Sequence, residues 1–456
     1  MIEFWEWGQG SCTPAPSPKI QSFSKMMPIK SLVFRLALFL SLACGFLACT
    51  GQEPSGPVLV MAGGSGPEEV HVQKQLAAFH RAHPDIRVVY QSTPSSASSR
   101  HTLFVTWLSS RSAEVDILNL DVIWTPEFAA AGWILPLEDF LAEGPLDLAD
   151  FLPAGLACSR YRGKLFALPW YVDAGLLYYR RDLYDALGLP LPRTFSDLDK
   201  VRALQDKFNI PYGFVFQGQS YEGLVCVVLE FFWSNGGQVF DNEGRLVLDS
   251  PPNRQALALL VDLIYRQHVS PLAVTTFLEE DCRYAFQEGY AVLMRNWPYA
   301  YTLMEQPGSP VKRKFALLPP LQGPKARSVA VLGGGALAVN ALSRHPREAM
   351  QLIRFLLKPE NLRQRALAQG MLPPLKSLYA DPALTAKFPY LTSLKEVFFT
   401  ARPRPITPLY SLISDILRLH FSRALTQQET PEEALSRGQA EIAALLARFQ
   451  PPGGSP

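Results

Sequence analysis

"VLVMAGGSGPEEVHVQKQLAAFHRAHPDIRVVY", residues 58–90, decides the fold class. The apolar run VLVMAGG reads as a short buried strand that ends in glycines, and PEEVHVQKQLAAFHRAHP reads as the helix after it. Pro67 suits the first helical turn, where its missing N–H costs nothing, and Glu68 and Glu69 meet the positive end of the helix dipole. IRVVY is the next strand. A strand, a helix and a second strand in close succession imply an α/β sheet with helices packed on it.

The alternation continues outward from there. VDILNLD (115–121) is another strand, FAAAGW (128–133) lies in a helix, and ILPLEDFL follows. It resumes at GKLFALPWYVDAGLLYYRRDLYDALG (163–188), YGFVFQG (212–218), the helical YEGLVCVVLEFFWSNGG (221–237), AVLMRNWP (291–298) and KFALLPPL (314–321). SVAVLGGGALAVN (328–340) leads into the helix REAMQLIRFLLK, and the last hundred or so residues are mostly helical, down to PEEALSRGQAEIAALLARF (431–449). A chain of 456 residues, 48% of them hydrophobic, is too long for one small core and predicts two globular units.

Formal net charge is +2, and the first 49 residues, with Lys19, Lys25, Lys30 and Arg35 against Glu3 and Glu6, account for all of it. The body is therefore neutral and lacks the clustered Lys and Arg that nucleic acid requires. The leader has its own logic. From Met27 it runs MPIKSLVFRLALFLSLACGFLAC, two cations ahead of the apolar stretch Leu36–Ala48, then Cys49. That stretch is shorter than the ~20 residues a bilayer span needs, and it fits a secretory signal. Ala48–Cys49 resembles a bacterial lipobox, with Ala43–Cys44 as a competing site, so Cys49 is expected to carry a lipid anchor. The true start is expected at Met26 or Met27, and TGQEPSG (50–56) reads as a linker. Cys158, Cys226 and Cys282 then remain, without CxxC or metal-like His/Cys spacing, and free core-packed thiols are favoured over one disulfide.

Several catalytic signatures are absent: there is no GxxxxGK[ST], HExxH, GxSxG or GxGxxG between strand and helix. VLGGGALAVN lacks the lysine and helix start of a phosphate cradle and reads as a tight backbone passage between strands. No metal or cofactor is expected. What remains is acids, arginines and aromatics near strand ends, where open α/β sheets bind ligands. A carboxylate accepts from two sugar hydroxyls, an Arg fork donates to two oxygens, and the C–H face of a pyranose packs on an aromatic ring. The mixture points to a carbohydrate.

The series HPDIRVV, VDILNLDVIWTPEFAAAGWILPLEDFL, GKLFALPWYVDAGLLYYRRDLY, YEGLVCVVLEFFWSNGG, RNWPYAY, SPVKRKFALLPPL and PRPITPLYSLIS resembles, in order, the trehalose/maltose-binding lipoproteins of ABC importers. It covers nearly all of residues 57–450. The resemblance implies a two-lobed periplasmic-binding-protein fold with a hinge and a ligand cleft between the lobes. Residues 57–160 plus 313–370 would form the N-terminal lobe, and 161–312 plus 371–450 the C-terminal lobe.

It also implies ligand-binding roles for Glu68, Arg100, Asp121, Tyr171, Asp173, Trp297, Gly335 and Arg404. Each has a plainer alternative: a helix-dipole acid for Glu68, a solvated surface group for Arg100, an N-cap or turn acid for Asp121. For Tyr171 and Asp173 it is a structural pair, for Trp297 a core ring, for Arg404 an interlobe salt bridge. Tyr178 and Tyr179 are expected to pack into the lobe. Gly335 stands where relatives carry tryptophan, which leaves either a wider pocket or another ring as the wall. The expected protein is a lipid-tethered, extracytoplasmic monomer that hands an α-glucoside disaccharide to a membrane permease. Its rivals are a secreted glycoside hydrolase using two carboxylates, disfavoured for want of a pKa-raising apolar pocket, and a binder of a glycerophosphodiester.

Overall fold

The structure is a computed structural model, described for residues 56–449 apart from 95, 145 and 325. The readings of the leader, of Cys49 and of most of the linker fall outside those residues. Two sheets organise the described chain, and both are of the mixed kind.

The first sheet has the order β2-β1-β3-β11-β6. Its strands are β1 (Val58–Gly64), β2 (Arg87–Thr93), β3 (Ile117–Asp121), β6 (Leu168–Ala174) and β11 (Leu332–Val339). β1 runs parallel to β2 and β3, while β11 is antiparallel to both β3 and β6. The second sheet has the order β10-β7-β9-β8, built from β7 (Leu176–Tyr179), β8 (Tyr212–Val215), β9 (Ala291–Asn296) and β10 (Ala316–Leu318). A separate hairpin pairs β4 (Arg160–Tyr161) with β5 (Lys164–Leu165).

The opening unit folds as its residues dictate. Gly66, at φ 73°, turns the chain into the helix Pro67–Ala82, a backbone setting that a side chain would strain. Gly64 matters for another reason: a Cβ there would lie 2.3 Å from Glu68 Oε2, so the strand end and the helix start can approach only without one.

VLGGGALAVN is not a passage between strands. It is the strand β11 itself, inserted between β3 and β6, and its glycines let neighbouring groups come close; a Cβ on Gly334 would lie 2.3 Å from the Tyr171 carbonyl oxygen. The chain crosses between the sheets at Gly175. β6 belongs to the first sheet, Gly175 alone separates it from β7 in the second, and β10 pairs with β7 before the chain returns to the first sheet at β11. The reason is length: β6 and β7 form one extended run bent at a glycine, so no loop marks the crossing. A Cβ on Gly175 would fall 1.7 Å from Glu230 Oε1.

The helix Glu222–Ser234 is buried along its whole length, as its apolar circumference requires. Phe231 packs near Phe214 of β8 with ring centroids 6.4 Å apart, and Phe232 meets Phe421 of the helix Tyr410–Leu425 edge-on at 5.6 Å. The C-terminal helices are thereby layered onto the second sheet. Tyr178 and Tyr179 are buried in β7, and Cys158, Cys226 and Cys282 are free and buried, all as expected.

Candidate functional site

Strand alternation sets the stage. Asn119 and Asp121 share one face of β3, Tyr171 and Asp173 share one face of β6, and β11 pairs Gly335 with both Asp121 and Tyr171. A Cβ on Gly335 would lie 2.5 Å from Tyr171 Cε1 and 2.6 Å from Asn119 Oδ1. The Tyr171 ring therefore occupies the space into which a larger side chain at 335 would grow.

Glu68, in the first turn of its helix, reaches the same face. Its Oε1 accepts from Asn119 Nδ2 at 2.9 Å and from Arg365 Nη2 at 3.0 Å. Arg365 comes from the helix Pro359–Gln369, and its guanidinium lies 3.4 Å from the centroid of the buried Trp170 ring and 4.7 Å from that of Tyr171. From the second sheet, Trp297 follows directly on β9. A Cβ on Gly333 would sit 2.9 Å from its Cζ3 and 3.3 Å from Asp173 Cβ, so ring, strand and acid abut. The Arg295 guanidinium lies 3.9 Å from the centroid of the Trp297 ring and forms a buried two-pronged pair with Glu230, 2.8 and 2.9 Å.

Several polar atoms here are buried without a hydrogen-bond partner: Asp173 Oδ1, Asn119 Oδ1, and Nε and Nη1 of Arg365. Buried polar atoms in folded proteins are rarely left so. Burial pushes the Asp173 carboxyl up to about 7; Arg365 and Arg295 oppose the rise, and Asp121 and Glu68 reinforce it. The sequence argument that no group would be raised by an apolar setting is thus corrected: Tyr171, on the same face of β6, is buried, and the Trp297 ring and Asp173 both abut Gly333, so the acid lies among aromatic rings with little access to water.

Asp121 and Arg404 are joined to each other. Asp121 Oδ1 accepts from the Ile123 amide as a turn acid and pairs with Arg404 Nη2 at 2.9 Å. The other arm of Arg404, Nη1, donates to Glu222 at 2.7 Å, and Glu222 in turn accepts from the hydroxyls of Tyr410 and Ser414. One residue along that helix, Ser411 contacts Glu127 and His101 beside β3. Arg100 is half-buried: its guanidinium sits 5.5 Å from the Trp124 ring centroid, its Nε is buried and unpartnered, and its Nη1 donates to the Pro94 carbonyl at 3.4 Å.

The structure thus brings Glu68, Tyr171, Asp173, Gly335 and Trp297 together and places the Asp121–Arg404 pair beside them. Sequence reasoning missed Asn119, Glu222 and Arg365. Asn119 was findable from the alternation that puts it in line with Asp121, and Glu222 as an isolated acid opening an apolar helix. Arg365 has no local signal in LRQRALAQG.

The family described as bacterial extracellular solute-binding protein matches residues 65–362. The chain belongs to that family. It is similar to a structure titled "Maltose bound T. maritima MalE3", with 40% identity, a TM-score of 0.82, and coverage of 85% of this chain and 99% of that one. A solute-binding protein from Agrobacterium radiobacter K84 in complex with ribitol is similar at 25% identity, with a TM-score of 0.76 and coverage of 86% and 99%. A Deinococcus radiodurans protein named "Probable ABC transporter-binding protein" is 33% identical over 374 residues, 78% of this chain and 86% of its own length.

The extracellular solute-binding protein described here therefore has the two-lobed periplasmic-binding fold, and its family binds solutes and does not transform them. Among the described residues no helix is long and apolar enough to cross a membrane, and no group of His, Cys, Asp and Glu is placed to hold a metal ion.

Proposed function

We propose that this solute-binding protein is the receptor of an ABC importer for a neutral sugar, an α-glucoside such as maltose or trehalose. One observation carries the reading: donors and acceptors buried without partners surround two rings, Tyr171 and Trp297, that reach the site from different sheets. A sugar ring would pack its C–H face on such rings while its hydroxyls complete the hydrogen bonds of Asp173, Asn119 and Arg365. Arg365 is paired with Glu68, and Arg404 with both Asp121 and Glu222, so the site holds no surplus of cations for an anionic guest.

Glu68, Arg100, Asp121, Tyr171, Asp173, Trp297 and Arg404 are the proposed ligand contacts, with Gly335 leaving room for Tyr171. The lobes are proposed to meet at Gly175, near Val331 and near Arg402, where the chain passes between the sheets and Arg402 pairs with Val331. Sugar bound across them would shift the hinge equilibrium towards the closed form that the permease recognises. A lipid on Cys49 would tether the protein outside the cytoplasmic membrane.

Calorimetry on protein beginning at Gly56, with maltose, trehalose, maltotriose, mannitol, ribitol and glycerophosphocholine, tests the proposal. Saturable heat with an α-glucoside is expected. Heat with glycerophosphocholine alone, or steady release of glucose abolished by Asp173→Asn, would overturn it.

A further inference from the structure

We infer that Arg365 is a positioning residue of this site: a single guanidinium fixes the Glu68 carboxylate and the Tyr171 ring. The inference rests on the sugar-binding reading above and adds to it a residue from outside both strands that carry the site.

β6 is the edge strand of the first sheet, so one flank of Tyr171 and Asp173 has no neighbouring strand. The segment that closes this flank begins at Arg365. Just beyond the helix that bears it, Leu372 forms a bridge with Val172, whose amide donates to the Leu372 carbonyl at 3.0 Å. Arg365 is therefore held from both directions, by its helix and by the stitch to β6. Its side chain is 1% exposed, and it lies flat on Trp170. A guanidinium pinned to an indole face in this way cannot swing to another partner without giving up the stacking.

Two consequences follow for the sugar contacts. Nη2 donates to Glu68 Oε1, the same oxygen that takes Asn119, so the carboxylate orientation is set before any ligand arrives. Tyr171 is confined by the Arg365 guanidinium, 4.7 Å from its ring centroid, and by the backbone at Gly335, which restrict the ring's movement. Asp173 is faced by two cations, Arg365 and Arg295, by the carboxylates of Asp121 and Glu68, and by the phenols of Tyr171, Tyr178, Tyr379 and Tyr390. Arg365 is the stronger of the two cations acting on it. Without it, Asp173 would hold its proton to higher pH and would accept fewer hydroxyls at neutrality.

The test is maltose affinity by calorimetry from about pH 5 to 9, spanning the region where Asp173 titrates, on wild type, Arg365→Met, Arg365→Gln and Arg365→Lys. In wild type the affinity rises with pH as Asp173 ionises. The two neutral variants are expected to lose roughly tenfold or more at pH 7 and to shift the midpoint of that rise upward by about one pH unit. Lysine keeps the charge and loses the flat fork, so it should bind weakly with the midpoint in place. A defect that was only structural would lower affinity equally at every pH. Carbon-13 carboxyl titration of Asp173 in the ligand-free proteins gives the same comparison independently.

Unchanged affinity and midpoint in all three variants, with Trp297→Ala still impaired, would overturn the inference and leave the sugar-binding reading standing. Loss of folded protein in all three would assign Arg365 to the fold and would overturn it too. A wild type that binds no sugar in the panel would overturn the reading on which the inference rests.

Discussion

Arg404 Nη2 lies 2.9 Å from Asp121 Oδ1, joining the end of β3 to a segment that packs with the second sheet. The arginine is 2% exposed and shares its charge with Glu222, which it meets at 2.7 Å. Removing a cation from between the buried carboxylate of Glu222 and the partly buried one of Asp121 leaves both without their charge partner. Arg404→Met is therefore expected to lower stability by about 3–5 kcal/mol. Asp121→Asn should cost clearly less, because Arg404 keeps Glu222. Urea denaturation of both variants checks this, and equal losses would show that the two carboxylates do not depend on one arginine.

The carboxyl of Asp173 predicts a slope in stability against pH. Its folded value is about 7 against an ordinary 3.8, so between those values the folded chain keeps a proton that the unfolded chain has released. Stability contributed by this group is complete below about pH 4 and is lost as pH rises through about 7, at no more than about 1.4 kcal/mol per pH unit. Subtracting the Asp173→Asn curve from wild type isolates the effect. A difference curve that is flat across this window would contradict the buried setting of Asp173.

Gly335→Ala would press a methyl group against Tyr171 Cε1 and Asn119 Oδ1. Overpacking of this kind costs about 1–3 kcal/mol. Tyr171→Ala should remove most of that cost when the two changes are combined, because it vacates the space the methyl needs. Thermal unfolding of the two single variants and the double variant measures the coupling. Strict additivity would mean that Tyr171 does not fill the gap at Gly335.

The three thiols should be silent in the native protein. Burial pushes Cys158 and Cys226 up to about 12 and raises Cys282 well above the ordinary thiol range, so little thiolate exists at neutral pH and none of the three is open to reagent. Ellman's reagent is expected to label none of them until denaturant is added, and reductant should leave the melting temperature unchanged. Rapid labelling of the folded protein would refute this.

Much of the fold was legible because periodicity is local. The strand–glycine–helix unit at 58–90, the strand at 115–121 and the apolar helix at 221–237 all form where the residues say. β11 was misread because its glycines look like a turn in isolation; only the approach of Tyr171 and Trp297 explains why a strand should lack side chains there. In the site, Tyr171 and Asp173 were visible as a polar pair in an apolar strand. Arg365 was not, since its meaning comes from Trp170 and Glu68, partners far away in sequence. Likewise, the pairing of Arg404 with Asp121 and Glu222 depends on three separate segments converging.

The position of β11 also dictates an order of events. It lies between β3 and β6, yet every other strand of both sheets precedes it along the chain. A nascent polypeptide that has emerged only as far as Leu318 holds every strand of the second sheet, but its first sheet still has an open slot down the middle. Closing that slot requires contacts far apart in sequence, which are slow to form. A chain bound for export would in this way stay unfinished, and threadable, until almost three-quarters of it has been made.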